Sequence, residues 1–220
     1  MLDVPLIGFC GAPFTIASYL IEGGPTKSYN KTRGMLISKP EIWHGLMEKL
    51  ADMSIEYLSM QARAGANALQ IFDSWVGAVN STEYEQAIFP HMKRIISTVK
   101  SRFPNLPLAM NGVGTDHLVS TWAKLPLDVI ALDWRSSLGA AKDRGVTQTV
   151  QGNLDPAYLY GDTKTIAKVV DEILMDGVRH GKHVFNLGHG VFPEADPAKL
   201  HWLTDYVHET SRELWARESR

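Results

Sequence analysis

PLIGFCGAPFTIASYLIEGG, residues 5–24, reads as one complete β-then-α unit. Pro5 to Cys10 is a short apolar run bounded by a turn, the mark of a buried strand. Phe14 to Ile21 has helical character, and Gly23 and Gly24 end it, because glycine accepts the left-handed conformation that commonly follows a helix. Working outward from this unit, the same rhythm continues to the end of the chain.

Lys39 to Ala64 carries Ile42, Leu46, Leu50, Met53, Tyr57 and Met60 at helical spacing, which predicts a long amphipathic helix stopped by Gly65. Ala68 to Phe72 predicts a second strand. Ser81 to Phe103 predicts helix, capped by Ser81 or Thr82 and broken or kinked near Pro90. A third strand is expected at Leu106 to Met110, and a helix at about Asp116 to Lys124. A fourth strand follows at Val129 to Leu132, with a helix after Ser136. Thr149 to Gln151 predicts a fifth strand. Asp155-Pro156 has the form of a cap followed by proline at a first helical position. A helix over Lys164 to Gly177, a sixth strand at His183 to Leu187 and a terminal helix opened by Asp196-Pro197 complete about six units. Strands alternating with helices imply an α/β protein with a mainly parallel sheet and right-handed crossovers. Two architectures fit. One is an open doubly wound sheet, for which the G-x-G-x-x-G of dinucleotide binders is missing after the first strand. The other is a (β/α)₈ barrel, which needs eight units in roughly 250 residues and would here be two units short. No linker divides the chain, so residues 1–220 are expected to form a single partial barrel domain.

Of the 220 residues, 45% are hydrophobic and 21% charged, ordinary values for a folded globular chain. The formal net charge of −2 gives no global positive field, which argues against nucleic acid or an anionic membrane as partner. An anionic ligand would need cations gathered in one pocket. The single cysteine, Cys10, excludes a disulfide framework and a cysteine zinc cluster within the chain and suits a cytoplasmic setting. The start, with Asp3 inside its short apolar run, is not that of a signal peptide, and Phe14 to Ile21 is too short to span a bilayer. The sequons at Asn30 and Asn80 are read as chance.

In either architecture the site lies at the C-terminal ends of the strands. Polar residues there are Tyr19 and Glu22 after the first strand, Asp73 and Ser74 after the second, Asn111 after the third, Asp133 and Arg135 after the fourth, Asn153 and Asp155 after the fifth, and His189 after the sixth. Each also has a structural reading. Asp73-Ser74 could form a cap or a turn, Asp133 could cap a helix, and Tyr19 could be a core tyrosine with a satisfied hydroxyl. His189, flanked by Gly188 and Gly190, sits where backbone could approach a ligand closely. The other histidines read as surface or structural. No pair has metal-ligand spacing with a third ligand nearby, so no metal is expected.

Residues 8–24 resemble a signature of the uroporphyrinogen decarboxylase family, G-F-small-small-x-P-aromatic-T-hydrophobic-x-x-Y-x-x-E-G-G. LQIFDSWVG at 69–77, QGNLDP at 151–156 and NLGHGVFP at 186–193 agree in order and spacing. The resemblance implies a distorted (β/α)₈ barrel, usually a homodimer, that decarboxylates the four acetate side chains of uroporphyrinogen III to coproporphyrinogen III without metal or organic cofactor. It implies substrate-binding roles for Tyr19, Ser74 and His189. The family's arginine-rich P-x-W-x-M-R-Q-A-G-R segment and its pyrrole-gripping aspartate are not found here, so no catalytic residue is assigned. Arg33, Arg135, Asp73 and Asp133 are not carried over as family residues. The expectation is a chain supplying about six of eight units, with little or no activity alone. Two competing readings are a non-catalytic remnant or binding scaffold of the same fold, and a zinc-dependent methyltransferase. The second is disfavoured because Gly190-Val191 follows His189 and no cysteine lies beyond Cys10.

Overall fold

The computed structural model describes residues 4–24 and 26–218, with the side chain of Glu218 left out. Asp3, used above to judge the start of the chain, lies outside them. The chain packs as two compact units, Met1–Ile130 and Ala131–Arg220.

The first unit opens with strand β1 (Ile7–Gly11) and helix α1 (Pro13–Glu22), as expected. Proline at the start of α1 needs no donor there, and Gly23, at φ 73°, turns the chain out of the helix. Helices α2 (Asn30–Ser38) and α3 (Pro40–Arg63) follow, then strand β2 (Ala68–Asp73). Helices α4 (Ser81–Ala87) and α5 (Phe89–Arg102) lead to strand β3 (Leu108–Gly112). The short helix α6 (Val119–Trp122) precedes β4 (Val129–Ala131). Strand order in this unit is β1-β2-β3-β4, with β1–β2 and β2–β3 parallel and in register from Ile7↔Ala68 and Leu69↔Leu108. This is chain order, without the reversal that marks a doubly wound sheet. Alternation along β2 sends Leu69, Ile71 and Asp73 into the buried layer under the helices and leaves Gln70 and Phe72 half-buried on the opposite face. The fully buried core includes Phe14, Trp43, Met47, Leu58, Ile71, Ile95 and Met110.

Four expectations shift here. Helix α3 has the expected length but buries Trp43, Met47, Leu50, Ile55 and Leu58, while Ile42, Met53, Tyr57 and Met60 are exposed. The cap of α4 is Asn80, whose side chain accepts from Glu83 N–H while the Glu83 carboxylate accepts from Asn80 N–H. Strand β3 runs two residues later than read, because Leu106 N–H turns back to the Phe103 carbonyl and Pro107 has no N–H. A 3-10 turn at Asp116–Leu118 forms part of the helix expected from Asp116.

The second unit contains strand β5 (Thr149–Gln151), helix α7 (Thr163–His180), strand β6 (His183–Val184) and helix α8 (Pro197–Glu218). Strands β5 and β6 are parallel, Val150 against His183. The helix expected after Ser136 is reduced to a 3-10 turn at Lys142–Arg144, and the sixth strand is shorter than read, with an isolated bridge at Leu154↔Leu187. The core packs Leu154, Leu159, Ile166, Val170 and Leu174 against Leu203 and Val207 of α8.

Candidate functional site

In the first unit the C-terminal ends of β1 and β2 are tied together. Ala12 N–H donates to the Phe72 carbonyl at 2.8 Å, which sets the start of α1 beside the end of β2. Thr15 Oγ1 then donates to Asp73 Oδ1 at 2.9 Å and accepts from Trp75 N–H at 3.3 Å. The helix carrying Tyr19 is thereby docked on the turn carrying Ser74 and Trp75. Tyr19 is exposed, and its ring meets Trp75 edge-on at 6.3 Å, so the core-tyrosine reading fails.

A cavity of about 280 Å³ opens here, lined by Ser18, Tyr19, Gly24, Thr26, Tyr29 and Trp75. Half of its lining residues are aromatic and Ser18, Tyr19, Thr26 and Tyr29 carry hydroxyls, a lining suited to a flat apolar ring bearing polar substituents. Trp75 and Tyr29 were not singled out from sequence. Tyr29 sits in the left-handed region at φ 52°, a conformation uncommon outside glycine, and its ring tilts over Trp75 at 6.0 Å. Burial raises the Tyr29 hydroxyl above the ordinary tyrosine range, with the Tyr19 and Glu22 fields adding to it. The sequence signal for Trp75 was its place directly after Ser74 at a strand end; Tyr29 offered none.

Several rim residues are structural. Glu22 accepts from Thr32 N–H and Oγ1–H, each at 2.9 Å, which fastens α2 to the end of α1 and lowers the Glu22 carboxyl. Arg33 is paired with Glu83 at 2.9 Å. Asp73 is fully buried, and burial pushes its carboxyl up to about 7 against the lowering effect of Thr15.

In the second unit the loop after β6 carries His189. Gly188 N–H donates to the Leu154 carbonyl at 2.7 Å, and a Cβ on Gly188 would lie 2.5 Å from Trp134 N, so only glycine permits this approach. His189 is exposed and meets the Trp134 ring edge-on at 5.8 Å. The Arg135 guanidinium lies 3.8 Å from the centre of the same ring and bonds buried Asp133 at 3.1 Å. Asn153 donates to the carbonyls of Asp133 and Ser136, at 3.0 and 2.7 Å, and Asp155 caps Ala157 N–H at 2.9 Å. Among the described residues no three His, Cys, Asp or Glu side chains gather as a metal centre.

Together these features define a parallel β/α barrel-type protein whose polar and aromatic residues collect after the strands. A methyltransferase from Methanosarcina mazei has the same fold at TM-score 0.77 over 95% of this chain and 60% of its own, with 19% identity. The family profile for uroporphyrinogen decarboxylase (URO-D) matches residues 1–210, and the chain belongs to that family. It is 54% identical over 212 residues to the uroporphyrinogen decarboxylase of Geobacillus sp. (strain WCH70), covering 96% of this chain and 61% of the relative. It is 53% identical over 211 residues to that of Bacillus subtilis (strain 168), covering 96% and 59%. The chain thus spans about three fifths of the length of these relatives. No described helix is long and apolar enough to cross a membrane.

Proposed function

We propose that this chain supplies the larger part of a cytoplasmic carboxy-lyase that removes CO₂ from the four acetate side chains of uroporphyrinogen III, giving coproporphyrinogen III. The observation that carries the reading is 54% identity, over 96% of the chain, to a protein named for that activity. The aromatic cavity at Tyr19 supports it. Loss of CO₂ from an arylacetate leaves a carbanion equivalent, which the pyrrole accepts once it is protonated at a ring carbon. The substrate is then its own electron sink, and the protein's work is orientation and electrostatics, with no metal or organic cofactor.

In this reading Tyr19, Ser74 and His189 are substrate-binding residues. Tyr19 and Trp75, in edge contact, offer an aromatic wall to a pyrrole, the Tyr19 and Ser74 hydroxyls donate to carboxylates that are not reacting, and in the second unit the His189 imidazole does the same. The substrate carries eight carboxylates in all, the reacting acetates included, so charge-assisted hydrogen bonds dominate the binding. The active assembly is a homodimer. The test is an anaerobic assay of residues 1–220 with uroporphyrinogen III, alone and with the separately expressed part of the Bacillus subtilis relative that this chain does not cover. Turnover is expected on mixing, with little or none from residues 1–220 alone. Robust turnover alone would show that the segment is dispensable, and no turnover in either setting would refute the reading.

A further inference from the structure

Asp73 is a buried carboxyl that the proposed chemistry leaves without a role. Its Oδ1 accepts from Thr15, and its Oδ2, also buried, has no hydrogen-bond partner. No cationic side chain pairs with it among the described residues. The titratable groups whose fields couple to it are Cys10 on β1 and Tyr84 on α4. Both are neutral at pH 7, since burial pushes the Cys10 thiol up to about 12 and raises the Tyr84 hydroxyl well above its usual range. An ionised Asp73 would therefore leave one oxygen desolvated and uncompensated, whereas a protonated one fits its apolar surroundings.

The position matters because of what Asp73 touches. Through Thr15 it holds α1 against the turn after β2, and that contact sets the spacing of Tyr19, Ser74 and Trp75. It also lies next in sequence to Ser74, and through Thr15 it is linked to the backbone of Trp75, which lines the cavity read as taking a polyanion. We propose that Asp73 is a positioning residue that works in its protonated form: it docks α1 on the Ser74–Trp75 turn, and its ionisation sets the upper pH limit for binding a polycarboxylate in this pocket. The inference rests on the decarboxylase reading for the identity of the ligand.

The test measures binding of uroporphyrin III, an octacarboxylate that does not react, by fluorescence from pH 6 to 9. It uses residues 1–220 with the same part of the Bacillus subtilis relative present. The affinity of the unmodified chain should fall about tenfold across this range, the scale of one like charge in a partly desolvated site. In Asp73→Asn, which stays neutral, the ratio of affinities at the two ends should approach one. Thr15→Val removes the donor that favours the ionised form, so the midpoint of the fall should move to higher pH, a shift that a purely structural role would not produce. Carbon-13 titration of the Asp73 carboxyl in the unmodified chain gives a readout that needs no ligand and no variant. An equal fall in Asp73→Asn, or a carboxyl that titrates below pH 5, overturns the proposal while leaving the decarboxylase reading in place. Absence of binding at every pH refutes that reading and the pH limit with it.

Discussion

Replacing Asp73 by Asn should make the protein more stable at neutral pH, by an amount that depends on pH in a stated way. In the unfolded chain an aspartate releases its proton near pH 3.9. In the native state burial holds the proton until about 7. Between these values the folded form binds a proton that the unfolded form has lost, so stability falls as pH rises. The cost accrues at roughly 1.4 kcal/mol per pH unit, reaches about 4 kcal/mol by pH 7, and levels off above it, where both states are ionised. Asn keeps an oxygen to accept the Thr15 hydroxyl and carries no charge. The stability difference between Asp73→Asn and the unmodified chain should be small at pH 4.5 and should climb to a plateau by pH 8. Other titrating groups have their own slopes. Glu22, Glu83, Glu85 and Asp162, whose carboxyls are lowered, lose stability as pH falls, but they contribute equally to both proteins and cancel in the difference. Guanidinium unfolding followed by circular dichroism and indole fluorescence at six pH values supplies the curve. A difference that is flat with pH, or a variant less stable throughout, would refute a buried and protonated Asp73.

Gly77→Ala should destabilise the first unit by about 1–3 kcal/mol or more, seen as a lower unfolding midpoint, because its Cβ would lie 2.3 Å from the Val113 carbonyl oxygen and 2.7 Å from that of Gly114, and backbone cannot rotate away. Gln61→Ala should increase self-association in size-exclusion chromatography: the Gln61 amide accepts from Phe9 N–H at 2.7 Å and donates to the Phe9 carbonyl at 2.9 Å, and its loss bares two backbone groups on β1. In an assembled enzyme, Tyr19→Phe and His189→Ala should each lower kcat/KM about ten- to a hundredfold, the worth of roughly 1.5–3 kcal/mol for one charge-assisted hydrogen bond, with circular dichroism unchanged; wild-type kinetics in both would remove them from the site.

The strands and helices were legible where local chemistry is decisive. Pro13 and Gly23 bracket α1, and proline and glycine act through the backbone whatever surrounds them. The buried face of α3 was not legible. Ile42, Leu46, Met53, Tyr57 and Met60 and the stripe Trp43, Met47, Ile55 and Leu58 both recur at helical spacing, so periodicity alone cannot choose between them. Packing chose the stripe with Trp43, whose indole N–H donates to the Ala87 carbonyl at 2.9 Å across to α4. The helix expected after Ser136 gives way to tight turns, with Ala141 N–H bonded to the Leu138 carbonyl and Val146 N–H to the Ala141 carbonyl, and Gly139 lies close against α7, where a Cβ would meet the Asp176 carboxylate at 2.8 Å. The signature residues Tyr19, Ser74 and His189 were legible as a pattern, whereas the cavity wall formed with Tyr29 depends on a loop conformation that no periodicity encodes.

Position alone offered Asp73 and Ser74 a shared reading as a cap or a turn, and the family resemblance implied a role for Ser74 only. Strand alternation separates them. In ALQIFD the odd positions Leu69 and Ile71 are apolar and buried, and Asp73 continues their row into the layer under the helices. Gln70 and Phe72 form the other row, half-buried, and Ser74 follows at the strand end with partial exposure. A carboxyl in the apolar row cannot reach a ligand on the opposite face. It can act on one only through a residue that touches both layers, and Thr15, bonded to Asp73 Oδ1 and to Trp75 N–H, does so. A lone acidic residue in phase with the buried positions of a strand is therefore a different signal from one in phase with the exposed positions. The first predicts a proton held in the interior and a dependence on pH, the second a direct contact. Ser74→Ala should accordingly weaken polycarboxylate binding by a factor that stays constant with pH, whereas Asp73→Asn should change the dependence on pH itself. If the two variants gave the same pH profile, the assignment of Asp73 and Ser74 to different layers with different roles would be wrong.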